Sequence, residues 1–510
     1  MDAQVNRRKR LKLNMIFGLL LQATTVICGF IMPRLILSYF GSEVNGLVNS
    51  ITSLLNIITF AELGVGAVVQ SNLYKPLAEN DMARVSQIVA AAKKFFRIVG
   101  ILLVVLVLTV ALAYPFYVQD KFDIFSTISL VLAMSISLFA QYFFGVVYNL
   151  LLVSDQKNYI VAIISIITLV LNTALCAVIM KLGGSIQIVK LSTSVIFLAR
   201  PIFLFFYVRK KYNLVKVQLT GQELPQKWDG IVQHVASYVL DNTDIVILTI
   251  FASLSAISVY STYYLIAHSI RLLVESLTSG VMSYYGNVYA KGENELLRDQ
   301  FSKFNFYISG LSSLVFSIAC ALIVPFVLCY TSGIYDADYD QLLFGILLLA
   351  SQFFYCTRHS FNMLILSVGH YKETKISAIV EAVMNLVISI SLVIPFGIVG
   401  VAIGTLCAML FRTIYFAIYC SKHIINRPIS MFIKDIITYL LLFGCSIAMA
   451  IIIRNYFVIN NYLEWLLFAV IASAIMAVIF ILINIIFNRR YIVDMFKAII
   501  SMPKKLFSRG

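Results

Sequence analysis

A small set of charged residues lies inside long apolar stretches of this 510-residue chain. A charge at such a position costs roughly a few kcal/mol unless it faces a cavity or an opposite charge. The cations are Arg34, Lys190, Arg200, Arg271, Arg358 and Arg412, and the acids are Glu62, Asp241, Asp244, Glu275 and Glu381. Buried cations can bind phosphate or another anion, and buried carboxylates can bind a cation or carry a proton. Because the two sets nearly balance, ion pairs that only lock helices together are the alternative for each residue.

Spacing along a helix relates some of these residues to one another. Asp241 and Asp244 are three residues apart and therefore share a helix face. Arg271 and Glu275 are four apart, so these two side chains can neutralise each other.

Other arginines have no acid at helical spacing. Arg34 and Arg358 are in this group, and guanidinium matches phosphate with a fork of donors, so both are candidates for binding an anionic ligand. Arg200 and Arg412 lie closer to predicted cytoplasmic helix ends, where the alternative is that they reach the membrane surface.

The elements that position these residues are predicted to be transmembrane helices. The chain is 61% hydrophobic and 12% charged with a mean hydropathy of +0.92, which excludes a soluble protein. Apolar runs of bilayer length recur about fourteen times, which predicts an all-α polytopic membrane protein. The predicted spans are 14–39, 46–70, 96–117, 124–153, 159–180, 186–208, 231–252, 258–287, 304–330, 341–367, 376–396, 398–420, 435–456 and 464–488.

Basic residues concentrate in every second gap between these spans. Among the 39 Lys and Arg residues, those in the other gaps are Lys121, Lys181 and Arg454. The positive-inside bias therefore predicts cytoplasmic termini and an even number of spans. The net charge of +15 follows from this topology, with basic loops meeting anionic membrane lipids, and gives no reason to expect nucleic acid.

The chain also repeats itself at an offset close to 212 residues. The aligned pairs include Asn149 with Asn362, Ser154 with Ser367, Asn172 with Asn385 and Gly184 with Gly397 at offset 213, and Arg200 with Arg412 at offset 212. The predicted organisation is an N-terminal six-helix bundle at 1–208, a cytoplasmic linker at 209–230, a C-terminal six-helix bundle at 231–420, and two further helices with a basic tail at 421–510. Two repeated bundles are typical of alternating-access transporters, with a duplicated scaffold or channel as the alternative.

Several stretches resemble the polysaccharide biosynthesis (Wzx-type) flippases of the multidrug/oligosaccharidyl-lipid/polysaccharide exporter superfamily. They are Pro33 to Gly41 (PRLILSYFG), Ala61 to Gly66 (AELGVG), Asn242 to Asp244, Val259 to Ser261 and Gly397 to Thr405 (GIVGVAIGT). The resemblance implies a carrier that moves undecaprenyl-diphosphate-linked oligosaccharide from the cytoplasmic to the outer leaflet of a bacterial cytoplasmic membrane. It would serve the synthesis of a surface polysaccharide such as O-antigen or capsule, beside a polymerase or glycosyltransferases, and would not be an enzyme.

The resemblance also implies roles for particular residues. Arg34, Arg271 and Arg358 would bind the substrate diphosphate or glycan. Some relatives hold a sodium ion between helices 7, 11 and 12, and the corresponding oxygen ligands here would come from Asp241, Asp244, Glu381, Asn385 and Thr405. Na⁺ or H⁺ would be the coupling ion, with no other cofactor. Glu381 departs from the shorter acid expected at its position.

Two other classes of protein compete with a flippase. A drug or cation exporter of the same superfamily would show the same two halves, but such carriers generally have twelve helices and an acidic lumen without excess arginine. A polyprenyl-dependent glycosyltransferase, ligase or polymerase would need a sizeable outer loop, whereas the predicted outer gaps are short and only the acidic gap at 335–340 stands out. No pattern of a catalytic triad, metal cluster, P-loop or dinucleotide fold occurs, which argues against direct use of ATP.

Overall fold

A computed structural model describes residues 2–215, 217, 242–278, 281–457, 459 and 461–494, and that part of the chain is helical throughout, with short connections. The helices are α1 (Asp2–Asn56), α2 (Thr59–Glu79), α3 (Met82–Tyr117), α4 (Ile124–Ala140), α5 (Val146–Ser154), α6 (Asn158–Lys181), α7 (Ile186–Lys211), α8 (Asn242–Phe251), α9 (Leu254–Ser276), α10 (Val281–Ala290), α11 (Asn294–Tyr330), α12 (Leu342–Ser367), α13 (Tyr371–His423), α14 (Ile429–Tyr456) and α15 (Tyr462–Phe487). A π-helical turn, Gln141–Gly145, joins α4 to α5.

Most of the predicted spans lie within these helices, and the all-α polytopic class is confirmed. Within the described residues, ten helices are long and apolar enough to cross a membrane. Two predicted spans lie in the single helix α13, and α1 contains one and the start of the next. The predicted span 258–287 is divided between α9 and α10, and neither is among the ten. Of the predicted span 231–252, only the part in α8 is described.

Several helices extend beyond the apolar run that predicted them. The third predicted span begins at residue 96, but α3 begins at Met82, after Asp81, whose side chain accepts a hydrogen bond from the Arg84 backbone N–H at 2.9 Å. Hydropathy marks only the part of a helix that lies in hydrocarbon, whereas an N-cap such as Asp81 determines where the helix begins.

The two halves of α13 form a helical hairpin with a one-residue connection. Gly397 has φ of +55° and ψ of −131°, a conformation that L side chains rarely adopt, and the chain reverses there. A Cβ atom at Gly400 would overlap the carbonyl group of Leu392, and one at Gly404 would lie 2.8 Å from the backbone nitrogen of Ser389. The two glycines therefore allow the backbones of the hairpin to touch.

A charged cluster near the start of α1 ties this helix to other parts of the N-terminal half. Asp155 Oδ1 lies 3.3 Å from Arg10 Nη1, and Asp155 Oδ2 lies 2.6 Å from Lys157 Nζ. The Tyr212 hydroxyl, just beyond α7, donates to the same Oδ2, and burial, followed by this hydrogen bond, raises the pKa of Tyr212. No helical spacing joins these residues, so the cluster has no signal in the sequence.

The chain divides into two compact units, Met1–Val246 and Ile247–Gly510. The predicted linker at 209–230 is described only in part, and α8 crosses the division. In the C-terminal unit, α14 and α15 pack against α11, and Trp465 Nε1 donates to the carbonyl oxygen of Leu322 at 3.3 Å. The two helices beyond the sequence repeat therefore pack as part of the C-terminal unit.

The predicted orientation leads to a labelling experiment. Lys211, at the end of α7, and Asp338, between α11 and α12, are both exposed. The distribution of basic residues predicts that they lie on opposite sides of the membrane. In a background without native cysteines, Lys211→Cys should react with an impermeant thiol reagent from the cytoplasmic side and Asp338→Cys from the other. Labelling of both from one side would show that the predicted topology is incorrect.

Candidate functional site

Charged side chains of the C-terminal unit meet around the ring of Tyr355, on α12. The guanidinium carbon of Arg271, on α9, lies 3.5 Å from the ring centroid, and that of Arg358 lies 4.7 Å from it. Arg271 Nε also donates to Glu275 Oε1 at 3.1 Å, so the i, i+4 pair that the sequence left open is formed. Arg271 and Arg358 are each only 5% exposed, which strengthens their cation–π contacts with the ring.

Glu381 lies at the centre of a three-residue ion network, on the first half of α13. Its Oε1 accepts from Arg358 Nη1 and its Oε2 accepts from Arg412 Nη1. Glu381 is fully buried, and Arg358 and Arg412 are 5% and 8% exposed. Two cations share one carboxylate, so this triad carries a net charge of +1.

The triad changes the interpretation of two predicted residues. The sequence showed no acid near Arg358, because Glu381 lies on a different helix and helical spacing reports only partners on the same one. Glu381 was expected to be an oxygen ligand for a coupling ion. In this structure both of its carboxylate oxygens are engaged by guanidinium groups.

Two of the other predicted ion ligands are in direct contact across the α13 hairpin. Asn385 Nδ2 donates to Thr405 Oγ1 at 3.0 Å, and the Thr405 hydroxyl donates to the Val401 carbonyl oxygen at 3.1 Å. Asn385 is fully buried, and its Oδ1 has no hydrogen-bond partner among the described residues. A buried amide oxygen in this state is suited to accept from a ligand or to coordinate a cation.

The remaining predicted site residues belong to the N-terminal unit. Asp244, on α8, is 4% exposed. Arg34 is half-buried on α1, seven residues before the kink at Gly41. Asp241 lies outside the described residues. In the C-terminal unit, Arg271 and Arg358 therefore lie around one ring, and Asn385 contacts Thr405. Arg34 and Asp244 both lie in the N-terminal unit.

Comparison with known proteins gives a fold and no sequence family. No protein-family model matches the chain, and no curated protein matches it. Among solved structures, the lipid II flippase MurJ in an inward closed conformation has a TM-score of 0.66 at 16% identity, over 93% of this chain and 99% of that chain.

Two MATE transporters are also similar. An inward-facing MATE family transporter of the MOP superfamily has a TM-score of 0.59 at 15% identity, over 78% of this chain and 94% of its own. A Vibrio cholerae MATE transporter in a bent form has a TM-score of 0.53 at 12% identity, over 82% of this chain and 97% of its own. At such identities the likeness establishes the fold, which this chain shares with transporters and flippases of that superfamily.

Proposed function

We propose that this chain is a Wzx-type flippase that moves an undecaprenyl-diphosphate-linked oligosaccharide from the cytoplasmic to the outer leaflet by alternating access. It would act in a bacterial cytoplasmic membrane, with both termini in the cytoplasm. Its substrate would come from glycosyltransferases on the inner side and pass to a polymerase on the outer side, for synthesis of a surface polysaccharide such as O-antigen or capsule.

The observation that carries the proposal is the extent of the structural likeness. The match to the lipid II flippase covers 93% of this chain, whereas the matches to the MATE transporters reported above cover 78% and 82%. Residues up to His423, the end of α13, are 423 of 510. A 93% match must therefore extend into the region of α14 and α15, which favours a lipid flippase over a drug exporter.

The chemistry of the buried charges supports an anionic substrate. The arginines around Tyr355 and Glu381 outnumber the carboxylates that pair with them. A diphosphate offers several acceptor oxygens to guanidinium forks and can compete with a protein carboxylate for them. We assign Arg271 and Arg358 to the diphosphate or the glycan next to it, together with Arg34 of the N-terminal unit.

An ion gradient is the proposed source of directionality. The candidate ligands for Na⁺, or the candidate proton carriers, are Asp244, Asn385 and Thr405, with Asp241 in the same set. The unpartnered Oδ1 of Asn385 and the buried carboxylate of Asp244 support this assignment. Glu381 would contribute through its two arginines, because exchange of this carboxylate for a phosphate frees it to take up a proton.

The proposed function is tested by flipping in proteoliposomes. The purified chain should transfer a labelled polyprenyl-diphosphate oligosaccharide between leaflets, measured by its accessibility to a periodate reagent outside the vesicles. Arg271→Gln should lower the flipping rate roughly 10–100-fold, which is the loss expected when a charge-assisted hydrogen bond to phosphate is removed. Arg298→Gln, which changes an exposed cation in α11, is the matched control and should flip like the parent.

Transport of a fluorescent organic cation into the same vesicles tests the alternative function, that of a drug exporter. If the parent moves the cation and leaves the lipid-linked glycan in place, the protein is an exporter and the proposal is wrong. An unchanged melting temperature of Arg271→Gln shows that its slow flipping does not arise from unfolding.

A further inference from the structure

The N-terminal unit contains a cavity of about 470 Å³ that none of the proposed site residues lines. Its walls come from the second half of α1, from α4 and its π-helical turn, and from α5, α6 and α7. The polar residues among its lining are Thr52, Asn56, Ser137, Gln141, Asn149, Ser165, Lys190, Thr193, Ser194 and Arg200. Two cations and no carboxylate are therefore in the described lining.

The two cations differ in how they are held. Arg200 Nε donates to Thr168 Oγ1 at 2.6 Å, and its guanidinium carbon lies 4.1 Å from the centroid of the Phe197 ring. Lys190 lies half-buried in the second turn of α7, a membrane-spanning helix, and forms no hydrogen bond or ion pair with any described residue. A cation inside such a helix is expected to face a cavity or an opposite charge.

The sequence repeat shows which group is missing. Arg200 is equivalent to Arg412 at offset 212, and Thr168 is equivalent to Glu381 at offset 213. Arg200 contacts Thr168 as Arg412 contacts Glu381. The two units thus make the same contact between equivalent positions, but the N-terminal unit has a hydroxyl where the C-terminal unit has a carboxylate.

The same comparison explains the open space. Gly145, in the cavity wall, is equivalent at offset 213 to Arg358, the second arginine that binds Glu381. The C-terminal unit fills this region with a buried ion triad, whereas the N-terminal unit has a glycine, a threonine and a cavity. An anion bound beside Arg200 would take the place that the Glu381 carboxylate has in the other unit.

The rest of the lining is suited to a hydroxylated ligand. The π-helical turn Gln141–Gly145 contributes the Gln141 amide, and such turns are frequent at functional sites. Asn149 Oδ1 is buried and has no hydrogen-bond partner among the described residues, so it can accept from a ligand hydroxyl. Hydroxyl groups of Ser137 and Thr193 add further donors and acceptors.

We propose that this cavity is an anion-binding site for a phosphate or carboxylate carried on a hydroxylated head group, held by Lys190 and Arg200. Two sources present this chemistry: an acidic or phosphorylated sugar of the transported glycan, and the head group of an anionic phospholipid. This site does not depend on the proposed function, because ligand binding to it can be measured in the absence of transport.

Ligand-induced stabilisation of the full chain tests the site. Glucose 1-phosphate should raise the melting temperature of the purified protein in a saturable way, and neutral glucose should not. Lys190→Gln should weaken the apparent affinity for glucose 1-phosphate at least about tenfold, as expected for the loss of a charge-assisted hydrogen bond. Lys181→Gln is the matched control, because Lys181 is an exposed cation outside the cavity and its loss should leave the affinity unchanged.

Thr168→Glu is the second variant, and it leaves both cations of the cavity, Lys190 and Arg200, in place. It gives Arg200 the internal carboxylate that Arg412 has in the other unit, so it should abolish the response to glucose 1-phosphate while the protein remains folded without ligand. Stabilisation of this variant by glucose 1-phosphate as strong as that of the parent would overturn the proposal. Equal effects of glucose and glucose 1-phosphate on the parent would overturn it as well.

Nanodiscs distinguish the two sources of the anion. If a phospholipid head group occupies the cavity, adding phosphatidylglycerol to phosphatidylcholine discs should weaken the binding of glucose 1-phosphate to the parent by competition. If the cavity is selective for the sugar, the lipid composition should leave the affinity unchanged. Either result supports the site and identifies its ligand, provided that Thr168→Glu eliminates binding in both kinds of disc.

Discussion

Glu381→Gln is expected to lower the free energy of unfolding by about 3–5 kcal/mol, because it leaves two buried cations without a counter-charge. Arg358 and Arg412 are 5% and 8% exposed, and Glu381 supplies one carboxylate oxygen to each. A glutamine side chain keeps the shape but offers a single neutral oxygen. The measurement is reversible unfolding of the purified protein in mixed micelles, followed by circular dichroism.

Glu79→Gln is the matched control for this effect. Glu79 also pairs with a cation, Lys75, but the two side chains are 57% and 82% exposed and the pair lies within one helix. Its loss should cost less than about 1 kcal/mol, as for exposed ion pairs. If both substitutions lowered the free energy of unfolding equally, burial of the triad would not be the reason for its contribution to stability. Arg412→Gln added to Glu381→Gln should recover part of the loss, because one of the unpaired cations is then removed.

Asp244→Asn is expected to abolish the dependence of flipping on an ion gradient while substrate binding is retained. A carboxylate that is 4% exposed within an apolar span can bind a cation or take up a proton, and an amide cannot carry the same charge or proton in its place. Different ion affinities of the inward and outward states would bias the equilibrium between them and make flipping directional. The measurement is the flipping rate in proteoliposomes with an imposed Na⁺ or proton gradient and with each gradient collapsed.

Two further variants sharpen this experiment. Asn385→Leu should produce the same loss of gradient dependence, since Asn385 supplies a buried oxygen to the proposed ion set. Glu43→Gln changes a half-exposed carboxylate that pairs with Lys121 and should retain the response of the parent. The coupling proposal is contradicted if the parent flips its substrate equally fast with both gradients collapsed.

The helices and their order could be predicted from the sequence, because hydropathy reports directly on contact with lipid. Helix ends could not, since α3 begins at a cap, Asp81, well before its apolar run. The sequence also reported the i, i+4 pair of Arg271 and Glu275. It could not report the partner of Arg358, because Glu381 lies on the next helix and is brought to it by the turn between α12 and α13, not by spacing along one helix.

The functional assignment of single residues shows the same limit. Charged residues stand out in the sequence where they interrupt apolar runs. The charges identified in this way therefore included both cations of the cavity, Lys190 and Arg200. Which of them have internal counter-charges depends on tertiary contacts. The repeat indicates one missing counter-charge, because Thr168 aligns with Glu381 and so places a hydroxyl where the other unit has a carboxylate. This difference can be interpreted only once the structure shows that Glu381 pairs with Arg412.

The one-residue connection at Gly397 has a consequence for biosynthesis. The first half of α13 carries Glu381 and Asn385, and the second half carries one partner of each, Arg412 and Thr405. With no loop between the halves, the second follows the first from the ribosome without delay, so both can leave the translocon as one paired hairpin. Their polar side chains then enter lipid already neutralised or hydrogen-bonded, which reduces the cost of inserting two such helices one at a time. We therefore expect the hairpin, and not the single helix, to be the unit of membrane insertion in this region.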